Sequence, residues 1–313
     1  MTRVATAAEN ALVQFYLQQN RGQLDNLNAQ ISTGIKAQTY SGLAPQATQL
    51  VDFRAQASQQ QDYINTINTV STRLQVMDLS LQQIQSSVQS FRQLLPTGAF
   101  NPNPPTIQEQ AKGLLQQVAG YLNTQDGTRY LFGGANTATP PVDLSNLPVG
   151  AAATLATPVN GAPAANGYYA GGTPTPPAQI DTQVSVNYGI TADDATSFEP
   201  IIRVLNFLAQ SPPFSSTNAA DQASATQAGQ MLDQALQSLT SIRGNLGLQQ
   251  AQLNNALQVH QSTLNIAQNG VSGIVSVDQA TVITELQSLE TQMEASFSAT
   301  SQIEKLSLVN FLG

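Results

Sequence analysis

The sequence predicts a mainly α chain with an inserted β-rich domain, in which both termini build a long antiparallel helical bundle or coiled-coil rod. Three observations carry this. At both ends of the 313-residue chain, apolar residues recur at alternating spacings of four and three, the period of a helical stripe. The centre loses that period and carries Gly, Pro, Ala, Thr and Asn, with a short two-residue alternation. The flanks of the stripes are poor in charge: 10% of residues are charged, 41% are hydrophobic, and 41 residues are Gln. Amides bury at lower cost than charges, so such helices suit surroundings made of other helices.

The first stripe is Val13, Leu17, Asn20, Leu24, Leu27 and Ile31, and Gly34 interrupts it. Pro45, at the end of Ser41-Gly42-Leu43-Ala44-Pro45, suits the first turn of a second helix. That helix carries Ile67, Val70, Leu74, Met77, Leu81, Ile84, Val88, Phe91 and Leu95 without a polar intruder, a stripe roughly 40 Å long. Pro and Gly at 96–105 end it, and Thr106-Ile107-Gln108-Glu109 reads as a capping box for a shorter helix with Leu114, Leu115, Val118 and Leu122 inward. Asp126-Gly127 turns the chain, Tyr130-Leu131-Phe132-Gly133-Gly134 reads as a short strand, and Ile180 with 183–188 as a half-buried strand. Residues 139–178 between them read as surface loops and short strands.

Helix returns at 198–208, and Pro212-Pro213 stops it. From about Asn218 a long helix carries Leu232, Leu236, Leu239, Ile242, Leu246, Leu253, Leu257 and Leu264, interrupted at Gly270 and Gly273. Ser276-Val277-Asp278-Gln279 reads as the capping box of a last helix with Val282, Leu286, Leu289, Met293, Ser296, Thr300 and Ile303 on one side. The expected domains are an N-terminal assembly helix (1–40), the first half of the rod (41–125), a β-rich outer domain (126–196), the second half of the rod (197–275) and a C-terminal assembly helix (276–313).

Composition excludes several functions. With no Cys there are no disulfides, thiol nucleophiles or thiolate metal sites. A single His leaves no multi-His site. A net charge of −8 argues against a nucleic-acid partner. The acidity is regional: 1–120 carry seven basic and six acidic residues, 121–200 one and six, 201–313 three and seven. No run reaches the roughly eighteen continuous apolar residues of a membrane span, so membrane insertion is not expected. The first ten residues lack the apolar core of a cleaved secretion signal.

Candidate chemistry yields to plainer readings. His260 lies on the Leu239, Leu246, Leu253 line and reads as a packed or partly exposed helix residue rather than a ligand or base. Asp193-Asp194 precede a helix and read as its cap. Gly133-Gly134 lack the spacing of a phosphate loop, and Lys305 lacks the setting of a Schiff-base lysine. No catalytic, cofactor or metal residue is nominated. The functional residues are instead expected to be those of the stripes, acting by packing in assembly: Leu17, Leu24, Leu27, Ile31, Leu74, Leu81, Ile84, Val88, Val282, Leu286, Leu289, Met293, Ile303, Leu306 and Leu308.

Gln30-Ile31-Ser32-Thr33-Gly34-Ile35-Lys36 resembles the "iSTGkr" signature of the bacterial flagellin family. At the other end, Val277-Asp278-Gln279-Ala280-Thr281 through Leu306-Ser307-Leu308-Val309-Asn310-Phe311-Leu312 resembles that family's last helix and its closing "LSLlnfL". Within the family, Arg129-Tyr130-Leu131-Phe132-Gly133-Gly134 and the pattern over 180–198 resemble its hook-associated branch. One difference is at Ser41-Gly42-Leu43-Ala44-Pro45, where the family often has Asp-Asp-Pro; another is Ser90, where filament members often have Arg. The resemblance implies a non-enzymatic structural subunit of the extracellular flagellum that joins hook to filament. It implies copies of the chain around an axial channel, neighbouring hook-associated protein and flagellin as partners, and delivery by an export chaperone and the flagellar type III export apparatus. A short filament subunit is the alternative within the family, and an adhesin-like binding module the alternative outside it.

Overall fold

The computed structural model describes residues 2–95, 104–161, 167–211 and 218–312, with side-chain surroundings for 11–95, 107–161, 167–211 and 218–302. Six helices dominate it: α1 (Thr2–Thr33), α2 (Ala47–Arg92), α3 (Pro104–Leu122), α4 (Phe198–Gln210), α5 (Ala219–Val275) and α6 (Gln279–Leu312). Between α3 and α4 lie four two-residue strands, β1 (Gln125–Asp126), β2 (Arg129–Tyr130), β3 (Ala178–Gln179) and β4 (Ser185–Val186), paired antiparallel as β1 with β2 and β3 with β4. The fold class is therefore mainly α with a small β-containing insert.

The chain forms two compact units, Gln60–Gln261 and the combination of Met1–Gln59 with Ser262–Gly313; α2 and α5 contribute to both. In the Gln60–Gln261 unit, the apolar line of α2 from Ile67 to Leu95 is buried together with Leu232, Leu239, Leu246 and Leu253 of α5. The two helices run antiparallel, as their side-chain ties show. Arg92 forks onto the Asp233 carboxylate at 2.9 Å, and Arg243 reaches Asp78 at 2.7 Å and Gln85 Oε1 at 2.9 Å. α3 packs on α4, whose Ile201, Ile202 and Leu205 are fully buried.

The insert adds its own apolar residues to this core, notably Phe132, Tyr168, Ile180 and Val186. Polar ties fasten it to α2 and α5: Arg73 donates to Asp126 at 3.1 Å and to the Tyr188 hydroxyl at 3.5 Å, and Gln249 donates to the Asn187 carbonyl at 2.5 Å. In the first turns of α4, a buried Glu199 carboxylate pairs with Arg203 one helical turn on, at 3.2 Å, and accepts the N–H of Val159 in the insert at 2.9 Å.

Four local expectations are corrected. The strand read over 183–188 shrinks to β4, because Val184 sits at the tip of the β3–β4 hairpin, where its carbonyl accepts the Ile180 N–H and its side chain is exposed. Gly270 and Gly273 do not interrupt α5, which runs through both to Val275. A Cβ at Gly270 would lie 2.7 Å from the Phe53 ring, so this glycine permits close packing inside a continuous helix. α3 begins at Pro104, two residues before the expected cap Thr106, because a proline needs no N–H partner in the first helical turn. The cap of α6 is Asp278 rather than Ser276, whose N–H instead closes α5 on the Ser272 carbonyl at 2.8 Å.

Candidate functional site

The two signature segments meet in space. α1 ends at Thr33, and Gly34 takes φ +71°, the left-handed conformation that closes a helix, with its N–H on the Gln30 carbonyl at 2.8 Å. The reversal sends Ile35 alongside Ser276 in an antiparallel bridge. Lys36 N–H donates to the Val275 carbonyl at 2.8 Å, and Val277 N–H to the Gly34 carbonyl at 3.0 Å. Lys36 Nζ adds a bond to the Gly273 carbonyl at 3.2 Å, a cation placed where the last carbonyls of α5 are otherwise free. Beneath the joint, Leu43, Leu50 and Ile274 form a small buried cluster with Phe53 and Val271 packed on it.

Two residues beyond the bridge, Asp278 starts α6. Its carboxylate accepts the Ala280 N–H at 3.0 Å and the Thr281 hydroxyl at 2.9 Å. These bonds, that from Thr281 first, favour the charged form and hold the carboxyl below its ordinary value.

From this joint α1 and α6 run side by side and antiparallel. Gln23, Asn26, Leu27 and Gln30 share one groove with Glu285, Ser288, Leu289 and Gln292, and Val13, Tyr16, Leu17 and Asn20 share the next with Gln292, Ser296, Ala299 and Thr300. The burial along this pair is shallow. Leu17, Leu24, Leu27 and Ile31 are half-buried, as are Leu286 and Met293, while Val282 and Leu289 are buried. Large apolar side chains remain in solvent: Leu12 is 56% exposed, Phe15 63%, Tyr16 53% and Phe297 44%. By contrast Leu74, Leu81, Ile84 and Val88 are buried in the Gln60–Gln261 unit. The expected site residues thus divide into core residues and residues of an incompletely covered helical pair. The side chains of Ile303, Leu306 and Leu308, and of Lys305, lie outside the described residues.

His260 is 4% exposed, its Nε2 2.8 Å from the Ile180 carbonyl and its Nδ1 2.6 Å from Gln60 Oε1, with the Tyr63 ring 5.0 Å away. It fastens the insert to α2 and α5. Asp194 collects the N–H groups of Thr196 and Ser197 at 3.0 and 2.9 Å just before α4, and the Asp193 carbonyl accepts from Asn160 at 3.1 Å. Gly133 and Gly134 form a tight turn: a Cβ on either would meet a backbone oxygen at 2.3 Å. Burial raises the Tyr168 hydroxyl far above its ordinary value and moves Tyr169 to about 12. Among the described residues no helix is long and apolar enough to cross a membrane, and no three His, Asp or Glu are placed to hold a metal.

Sequence reasoning did not find the bridge between Ile35 and Ser276, nor the ties between α2 and α5. The latter left a trace, since Asp78, Gln85 and Arg92 stand seven residues apart beside the apolar line.

The family model of the bacterial flagellin N-terminal helical region matches residues 4–137, and that of the bacterial flagellin C-terminal helical region matches 230–312. Together they include nearly all of α1 and the whole of α6, with the joint between them. No match was found among curated proteins. Among solved structures, a flagellar hook-associated protein from Vibrio parahaemolyticus is similar in fold, with TM-score 0.56 and 13% identity, over 72% of this chain and 96% of that one. FlgL of Bacillus cereus matches with TM-score 0.43 and 15% identity, over 74% of this chain and 99% of that one.

Proposed function

The chain belongs to the bacterial flagellin family, and from that premise we propose that it joins the hook to the filament as a hook-associated junction subunit. Proteins of this family are structural parts of the extracellular flagellum that polymerise with other flagellar proteins. The observation that carries an assembly role is the state of the α1–α6 pair: its helices cover each other on one side only and leave Leu12, Phe15, Tyr16 and Phe297 in water. Residues of that size cluster on a surface when another chain is to cover them. The junction position draws on the segment 129–134 and the pattern over 180–198, and on the hook-associated description of the Vibrio parahaemolyticus structure.

On this reading copies of the chain surround an axial channel, with hook-associated protein below and flagellin above. An export chaperone and the flagellar type III apparatus deliver the chain. The stripe residues of α1 and α6 act by packing, and the role is structural rather than enzymatic. The test is a strain lacking the gene, imaged at the hook. Intact hooks without filaments are expected, with the protein a trace component of sheared wild-type flagella. Filaments that persist would overturn the junction role, and a chain that dominates the mass of sheared flagella would make it the filament subunit. Loss of function on removing 140–190 alone, with assembly intact, would favour a binding module.

A further inference from the structure

We infer that the backbone bridge between Gly34–Lys36 and Val275–Val277 is a register clamp, which fixes how far α1 slides along α6. This is a property of the single chain and does not depend on the junction reading.

Both helices repeat similar side chains every seven residues, as Leu17, Leu24 and Ile31 do on α1 and Val282 and Leu289 on α6. A shift of one repeat, about 10.5 Å, would therefore place similar residues opposite one another again. Side-chain packing does little to forbid it. Among the described residues α1 has none buried, and the buried residues of α6 are Val282 and Leu289, both near the joint. Polar side chains do not forbid it either, because among the described residues of α1 and α6 the side-chain bonds stay within one helix. Gln30 donates to Asn26 and Thr33 to Ala29 on α1; Thr284, Thr291, Ser296 and Thr300 bond back one turn on α6.

The bridge does forbid it. The Gly34 carbonyl, one residue past α1, takes the Val277 N–H, and Asp278 then caps α6 directly. The connection from α5 to α6 is only 276–278, so α6 is fixed at its start. The connection from α1 to α2, 34–46, is longer and would leave α1 free to slide. The Lys36 bonds to the Val275 and Gly273 carbonyls remove that freedom by anchoring the longer linker to the end of α5, next to the start of α6. A slide by one repeat would break all of them.

The chain has no Cys, so spin labels can be placed cleanly at the exposed positions Asn28 and Ser298 by Asn28→Cys and Ser298→Cys. Pulsed electron resonance on the otherwise intact protein should give one narrow distance distribution. Val277→Pro deletes one bridge donor and Lys36→Pro the other; either should broaden the distribution or move it by about 10 Å, one repeat. Val277→Ala keeps the N–H and should leave it unchanged. A proline variant with the native narrow distribution overturns the clamp, as does a broad distribution before any substitution at the bridge. Loss of helix throughout both proline variants also overturns it, because a clamp on α1 and α6 leaves Gln60–Gln261 folded.

Discussion

Two truncations of the same residue type, Leu81→Ala and Leu24→Ala, should have opposite consequences. Leu81, on α2, is fully buried in the core of the Gln60–Gln261 unit. Its truncation removes the transfer energy of the lost carbons and leaves a cavity that a continuous helix cannot collapse to fill, a cost of about 3 to 4 kcal/mol. Leu24 is half-buried on a helix covered along one side, and its truncation forfeits no more than about 1 kcal/mol in the isolated chain. With a urea slope of roughly 2 to 3 kcal/mol per molar, Leu81→Ala should lower the unfolding midpoint of the Gln60–Gln261 unit by about 1 M or more, followed by far-ultraviolet circular dichroism. Leu24→Ala, in the other unit, should lower that unit's midpoint by no more than about 0.5 M. In a strain supplied only with the variant, Leu24→Ala should nevertheless impair assembly, because a neighbouring chain would complete its burial. The reasoning fails if the two shifts are equal, or if Leu24→Ala assembles normally.

The insert and α4 supply two more predictions. Because folding holds Tyr169 neutral up to about 12, stabilisation from this group is complete below the unfolded tyrosine value of about 10 and is lost as pH rises from there through about 12. A spectrophotometric titration at alkaline pH should show ionisation and loss of structure in that window, and Tyr169→Phe should weaken the pH dependence. Glu199→Ala strips the half-buried Arg203 guanidinium of its partner and leaves the Val159 N–H unbonded, so it should cost about 3 kcal/mol in the same urea titration.

Much of the helical architecture is legible in the residues themselves, because heptad spacing is a local property. The line from Ile67 to Leu95 needs only its own period to be read as one face of a long helix. The same period cannot tell a line that is buried within one chain from a line that awaits another. Leu81 and Leu24 look alike in sequence, and only the arrangement of neighbouring helices distinguishes them. Contacts between distant segments are illegible for a related reason. Nothing local to His260 names Gln60 or Ile180 as its partners, although a packed histidine is the correct reading of its setting. The alternation over 183–188 misleads because a hairpin tip interrupts the pairing it suggests, and Gly270 misleads because glycine serves close approach as well as helix ends. The Gly34 turn is read correctly as the end of a helix, but the bridge that follows it, Ile35 to Ser276, depends on a segment more than two hundred residues away.

The ties between α2 and α5 carry opposite polarity at their two ends: on α2 the acid is Asp78 and the base Arg92, and on α5 the base is Arg243 and the acid Asp233. Turning α5 end for end would bring Asp78 towards Asp233 and Arg92 towards Arg243, like charge to like. In a chain where charged side chains are scarce, those four therefore act as a direction label. Leucines accept either orientation of a partner helix; these side chains accept one. Where many copies of such helices are crowded together, the label discourages an α5 from lying backwards along the α2 of another copy, at a cost of two residues per helix.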